Sequence, residues 1–421
     1  MKVLVLGSGA KDHALSWLFS KSKRLTGLFI APGNAGTEKL GVNLATVDPS
    51  NPKAVLRACR EHQIDYVFCG TEAPLAAGVV DVLLSEGIST FGAPLNSVRL
   101  EGDRSFAREF TTRYGIPIPK HHIAQTVDEL IDFIENNSGK RLVIKRNGLA
   151  PSRVMIDSAD QEYLLDFGER LLEKGEVLIE EHLKGMPLTV TILTDGEHYL
   201  RLPLCSDYIK AEEYDTGSAT GGMGSICPVP LLDKKIEQII TNQIVEPTLK
   251  GLKKENLSYK GVLIFSLVLT ENGPILVDYH VRFNDPATQA MAPLITTDFL
   301  DLLEAIQSRT IADIHLKISD YSSVAVVLAS AGYPNTPEIN KPVRLPTYAG
   351  SNMIFDRTIT FFGAVDRENQ VLHTTGGRCF TVVGIGMNIL EANEAAYNVI
   401  SEITFEGSWH RSDIGNKFFN N

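Results

Sequence analysis

The sequence predicts an α/β protein divided into several domains. Three observations predict it. Over residues 1–120, short apolar runs alternate with helical stretches, the pattern of parallel strands with helices on both faces. The chain has 421 residues, 43% of them hydrophobic and 22% charged, an ordinary globular composition; that length suggests about two to four domains. Gly115-Ile116-Pro117-Ile118-Pro119 then interrupts the pattern, because two prolines stiffen the chain and block helix.

The elements follow in order. Val3 to Leu6 reads as a strand and His13 to Ser20 as a helix; Leu28 to Ala31 is the second strand. Pro52 to His62 is helical, Tyr66 to Cys69 a strand, and Leu75 to Glu86 and Arg99 to Tyr114 single helices. A smaller α/β piece follows, with strands at Leu142 to Lys145 and Val177 to Glu181 around a helix at Gln161 to Glu173. Later strands are Val262 to Leu269 and Ile275 to Tyr279, joined by a turn at Asn272-Gly273. Phe299 to Arg309 is helical. The terminal part has strands at Ala325 to Leu328 and Cys379 to Val383 and a helix over Ile389 to Ile400. The predicted domains are 1–118, 119–186, 187–322 and 323–421.

Charge narrows the partners. A net charge of −11 argues against nucleic acid, which needs clustered Lys and Arg. No segment approaches the length of a membrane span, and Met1-Lys2-Val3-Leu4-Val5-Leu6-Gly7 is too short an apolar run for a signal peptide. The five cysteines form no CxxC, which predicts buried thiols in a reducing cytoplasm. The expected state is a monomer or weak dimer.

Several segments carry chemistry. Asp215-Thr216-Gly217-Ser218-Ala219-Thr220-Gly221-Gly222-Met223-Gly224-Ser225 has four glycines among small residues. Glycine lets a ligand approach the main chain closely, so the run reads as a loop that cradles substrate, or as a plain glycine-rich turn. The first βα turn, Gly7-Ser8-Gly9-Ala10-Lys11-Asp12-His13, has Asp12 where a dinucleotide fingerprint has its third glycine. It reads as an anion site at a helix N-terminus or as a tight turn alone. Ala31-Pro32-Gly33-Asn34-Ala35-Gly36-Thr37 and Gly70-Thr71-Glu72-Ala73-Pro74-Leu75 follow the next strands, at the edge where open α/β sheets bind ligands. Leu142-Val143-Ile144-Lys145 ends in a lysine that is either solvated or aimed at an anion. In Leu276-Val277-Asp278-Tyr279-His280-Val281-Arg282, Asp278 and His280 share one face of a strand.

In this order the motifs resemble the ATP-grasp family of glycine ligases that act on phosphoribosylamine in purine synthesis. The glycine run is similar to D-T-G-P-N-T-G-G-M-G, the first turn to G-S-G-G-R-E-H-A-L, and Ala31 to Thr37 matches A-P-G-N-A-G-T. Val177-Leu178-Ile179-Glu180-Glu181-His182-Leu183-Lys184-Gly185 resembles V-I-E-E-F-L-x-G, and the Asp278 segment, through Phe283-Asn284-Asp285-Pro286-Ala287-Thr288-Gln289, resembles V-I-E-F-N-x-R-F-G-D-P-E-T-Q. The resemblance implies an ATP-grasp fold, preceded by an open parallel α/β domain and followed by a small α+β domain.

It also implies roles. Lys145 and Arg153 would hold ATP phosphates, and Glu180, Glu181, His182 and Leu183 the adenine. Asp278 and His280 would hold Mg²⁺ or Mn²⁺. Arg282, Asp285, Gly222 and Gly224 would act on the reacting groups. Gly9, His13, Gly33, Asn34, Glu72, Asp207, Lys210, Gly221 and Met223 would bind substrate. The substrates implied are glycine, phosphoribosylamine and ATP. The chain departs from the pattern where K-A-D-G-L-A-A-G-K-G-V becomes Lys145 to Met155 with Pro151 and Val154, and where Met186-Pro187 replaces two glutamates. His280 offers Mg²⁺ a nitrogen it disfavours. These departures keep two alternatives open: a ligase for another carboxylate and amine, or a non-catalytic sugar-phosphate binder.

Overall fold

The computed structural model describes residues 1–148, 155–230, 232–346, 354–355 (main chain) and 357–419. It opens with a parallel sheet in the spatial order Val42–Asn43, Gly27–Pro32, Lys2–Gly7, Tyr66–Cys69, Ser89–Phe91. Val3, Leu4, Val5 and Leu6 are wholly buried, as strands covered on both faces must be. The chain leaves the central strand to one side and returns to the other, so the Lys2–Gly7 end is the switch point where a crevice opens.

Two expected helices are each broken in two. Leu75 to Glu86 is Glu72–Ala76 and Val79–Ser85, parted at Gly78, whose φ of 71° cannot continue a helix. Arg99 to Tyr114 is Leu95–Gly102 and Arg104–Arg113. Between them Asp103 is extended, and its carboxylate accepts from the Phe106 amide at 3.0 Å, a cap that starts the second helix.

A four-stranded antiparallel sheet follows, in the order His121–Ala124, Val177–Glu181, Leu142–Arg146, Met155–Ser158. Helices Val127–Asn136 and Gln161–Leu172 back it, with a small core of its own around Leu130, Ile144, Leu164 and Ile179. Another antiparallel sheet runs Tyr199–Arg201, Met186–Thr194, Gly261–Thr270, Gly273–His280.

The glycine-rich run is a strand, Thr216–Cys227, rather than the expected loop. It pairs with Ser206–Glu212 through two register shifts and with Ser322–Ala329, and the sheet continues through Arg378–Gly386 and Thr358–Phe362 to Ile354–Phe355. The outer half of the strand, Thr216 to Ser218, is exposed while Gly222 to Cys227 is buried. One sheet therefore joins residues 206–227 to residues 322–386. Among the described residues no helix is long and apolar enough to cross a membrane.

Candidate active site

A cavity of about 1440 Å³ opens at the C-terminal edge of the parallel sheet. The turns after its strands form one wall, the strand Thr216–Cys227 and the Arg282 segment another, and residues 333–335 and 363–366 a third. Met155, Ile156 and Asp157 of the antiparallel lid face it from across the opening.

The first turn is closed by its own helix. Gly9 is the N-cap of helix Ala10–Ser20, and its amide donates to Asp12 Oδ2 at 2.9 Å. Gly7, at φ 150°, allows this: a Cβ there would lie 2.2 Å from Asp12 Cγ. Asp12 is buried, and burial raises its pKa to about 6 against the lowering influence of Lys11. In the second turn Asn34 is a structural hub. Its Nδ2 donates to Ser8 O and Phe362 O, both at 2.7 Å, and its Oδ1 accepts from the Gly36 and Thr37 amides at 2.8 and 3.0 Å. In the third turn Glu72 begins a short helix and pairs with Arg282 Nη2 at 2.7 Å. Burial pushes the Glu72 pKa up, but Lys11 and Arg282 outweigh it and hold the carboxyl ionised.

Arg282 is therefore anchored from one side. Nη2 also meets Glu101 Oε1 at 3.1 Å, and Glu101 in turn accepts from the Val281 amide at 3.0 Å. Glu101 is buried, which favours its neutral form, yet Arg282 and His280 together lower its pKa to about 2. Asp285 pairs with Arg378 at 2.9 Å, and the same guanidinium donates to Gly221 O at 2.9 Å. The Gly221 amide donates to the Tyr333 hydroxyl at 2.9 Å. Lys210 pairs with Asp157 at 2.6 Å, which fastens the lid strand to the glycine-rich hairpin.

Eight expected residues thus meet in one cavity: Gly9, Gly33, Asn34, Glu72, Lys210, Gly221, Arg282 and Asp285. Others do not line it. His13 is buried beneath the turn, where Nδ1 accepts from the Phe362 amide at 2.9 Å and the ring meets Phe361 and Phe362 edge-on. Burial drives its pKa down to about 3, so it is a neutral packing residue. Asp207 accepts from Thr189 Oγ1 at 2.7 Å on the far side of its strand. Met223 is fully buried in core. Gly222 packs on Asp285-Pro286 and Gly224 on Ile414: a Cβ on either would come within 2.6 Å of those atoms.

The expected nucleotide residues make a closed charge network. Lys145 Nζ lies 2.7 Å from Glu180 Oε2 and 3.2 Å from Asp278 Oδ2, and only 1% of its side chain is exposed. Arg108 closes on the other Glu180 oxygen at 2.5 Å, and Arg104 stands 3.8 Å from Asp278. By type the three cations suit a polyphosphate, and they outnumber the two acids by one. Their charges already face partners on the protein. The metal pair is not assembled either. Asp278 is committed to Lys145, while His280 has Nδ1 on Glu101 at 2.9 Å and Nε2 on Ser266 at 3.1 Å. No cluster of three metal-ligating side chains occurs among the described residues. The donors present therefore do not fit a protein-held divalent ion. In the expected adenine strand, the Glu181 and His182 amides donate to Lys120 O and Arg141 O, and the Glu181 carboxylate faces Lys120 and Lys140. Arg153 lies outside the described residues.

Comparison with known proteins locates this geometry. The domains of phosphoribosylglycinamide synthetase match in order: the N domain over residues 1–101, the ATP-grasp (A) domain over 102–288 and the C domain over 323–417. A phosphoribosylamine–glycine ligase of Rhizobium meliloti is 34% identical over 99% of this chain and 98% of its own length. The chain belongs to the phosphoribosylglycinamide synthetase family. A ligase of the same name from Caldanaerobacter subterraneus is 34% identical over 98% of this chain and 99% of its own. The crystal structure of phosphoribosylamine–glycine ligase from Thermotoga maritima superposes with a TM-score of 0.82 at 30% identity, covering 98% of this chain and all of that one. A biotin carboxylase from Campylobacter jejuni, at 12% identity and a TM-score of 0.72 over 100% of this chain and 95% of its own, shares the fold.

Within this synthetase cavity, sequence reading overlooked Lys11, Asn284, Tyr333 and Arg378. Arg378 lies far along the chain from Asp285, and no local pattern signals their contact.

Proposed function

We propose that this protein is an ATP-dependent ligase that joins glycine to 5-phosphoribosylamine in purine synthesis and releases ADP and phosphate. A glycine carboxylate oxygen attacks the γ-phosphorus of ATP, ADP leaves, and glycyl phosphate forms. The amine nitrogen of phosphoribosylamine then attacks the acyl carbon, phosphate leaves, and the nitrogen gives up a proton. The residues of the chain position and shield these steps. Arg282 and Arg378 present positive charge where carboxylate and phosphate react. The turns at Gly9, Gly33 and Glu72 receive the sugar phosphate, and the lid, held by Lys210 and Asp157, excludes water from the acyl phosphate. Lys145 and Arg108 would face the phosphates of ATP if these displaced Asp278 from Lys145, and the divalent ion, Mg²⁺ or Mn²⁺, would be carried by the nucleotide and would neutralise its phosphate charge. Five buried thiols, with no disulfide among the described residues, support a cytoplasmic setting, and we read the protein as a monomer or weak dimer.

The observation that carries this reading is the convergence of the three sheet-edge turns, Arg282 and the glycine-rich strand on one cavity. The test is release of ADP and phosphate with each substrate omitted in turn. Release that needs both glycine and phosphoribosylamine is expected. Equal release without either overturns the assignment.

A further inference from the structure

His280 stands where the family motif has asparagine, two residues before Arg282, and the resemblance makes it a metal ligand. The structure gives it other work. Its Nδ1 lies 2.9 Å from Glu101 Oε1 and its Nε2 3.1 Å from Ser266 Oγ. Ser266 lies opposite Asp278 on the neighbouring strand Gly261–Thr270, so its hydroxyl shares a face with the imidazole. A carboxylate only accepts, so Nδ1 donates to Glu101. A histidine that ligates a metal also leans on a carboxylate through its second nitrogen, which leaves Nε2 to decide the role. That nitrogen is taken by Ser266: it accepts from the hydroxyl in the neutral ring and donates to it in the charged one. Neither form offers a lone pair to an ion. Asp278 is engaged too, with Oδ2 on Lys145 and Oδ1 facing Arg104.

Glu101 carries the influence of the imidazole onward. Its Oε1, which receives Nδ1, also meets Arg282 Nη2 at 3.1 Å, and its Oε2 accepts from the Val281 amide at 3.0 Å. Arg282 Nη2 then reaches Glu72 on the third sheet-edge turn at 2.7 Å. Ser266, His280, Glu101, Arg282 and Glu72 thus form one continuous line, and its last two members line the cavity. The side chains of His280 and Glu101 are buried, so water weakens their contact little.

We propose that His280 is a positioning residue: through Glu101 it fixes the guanidinium of Arg282, and it takes no part in holding the divalent ion. In this chain the family's metal-ligand position serves instead as a brace for the neighbouring arginine. The inference rests on the ligase reading only for the reaction that Arg282 serves.

Two variants and one spectrum test it. His280→Leu keeps the bulk and removes both hydrogen bonds, whereas His280→Asn keeps a donor for Glu101. In His280→Leu kcat should fall about tenfold, the scale of one hydrogen bond to a charged group, with KM for ATP within about twofold. His280→Asn should recover most of that loss, and a role confined to packing would leave the two variants alike. Spin-echo spectroscopy of the wild type with ATP and Mn²⁺, glycine left out, should show no modulation from an imidazole nitrogen. That spectrum needs no variant, so it stands whether or not His280→Leu folds. An imidazole signal in the wild type overturns the inference and leaves the ligase assignment standing. An active wild type whose kcat is unchanged in both variants does the same. A wild type that binds Mn²⁺ and ATP without an imidazole signal, yet joins no glycine to phosphoribosylamine, supports the inference about the ion and overturns the assignment.

Discussion

Arg378 holds the chemistry of this cavity at the residue scale. One guanidinium nitrogen lies within bonding reach of Gly221 O, Gly222 O and both the carbonyl and carboxylate of Asp285, so it locks the glycine-rich strand to the Arg282 segment. A lysine keeps the charge but loses the planar fork. Arg378→Lys should lower kcat/KM by about tenfold to a hundredfold in steady-state assays, through loss of geometry more than of charge. His13 makes a second case. Its folded pKa of about 3 lies below the ordinary 6.5, so between those values the unfolded chain binds more protons. His13 therefore lowers stability as pH falls from 6.5 to 3, by about 1.4 kcal/mol per pH unit. Asp12 acts oppositely between 3.8 and about 6, because its folded pKa is raised. Denaturation of wild type and His13→Asn side by side removes the Asp12 contribution. The stability advantage of wild type should shrink steadily with acid, and a constant difference would refute the assignment of His13 as buried and neutral. The sequence placed His13 at the right turn but could not show that Phe361 and Phe362 come from the far end of the chain to bury it. The same blindness affected Asp278 and His280. Strand alternation names a face, yet only the fold reveals that Lys145, Arg104 and Glu101 already occupy it.

At the scale of elements, local signals were legible wherever burial followed a simple period. The parallel strands, helix Pro52–His62 and helix Ile389–Ile400 stand where apolar spacing puts them. The two helix breaks are different: Gly78 and Asp103 are small interruptions inside otherwise helical patterns, and tertiary packing decides that they count. The glycine run misled most, because glycine disfavours strands and small polar residues suggest turns. Pairing on both sides overrides that preference. Gly222 shows why the run resists substitution. Its φ is 117°, and a Cβ would sit 2.6 Å from Asp285 O and from Pro286 Cδ. Gly222→Ala should cost about 2 kcal/mol or more and displace Asp285. The measurement is a lowered thermal midpoint together with a loss of kcat, and an unaltered midpoint would contradict the packing described.

For the whole molecule, the six-stranded sheet decides what is separable. Strand Thr216–Cys227 finds one neighbour in Ser206–Glu212 and the other in Ser322–Ala329, so a chain stopped at residue 321 leaves a long buried edge open. It also removes Phe361 and Phe362 from above His13. Such a truncation should show no cooperative thermal transition and should bind a hydrophobic dye, whereas a sharp transition would mean that the halves fold alone. The family resemblance made the general architecture legible from residue 1 onward. It did not show that the last part of the chain completes a sheet begun in the middle.

That shared sheet constrains how relatives of this protein can exchange parts. In a recombination library, a crossover between residues 228 and 321 would seat one parent's strand against another's, Gly224 facing a foreign residue at Val326 and Cys227 one at Ser323. Soluble chimaeras should be scarce at those junctions and commoner where both strands travel together, so inheritance in this fold runs by sheet and not by position along the gene.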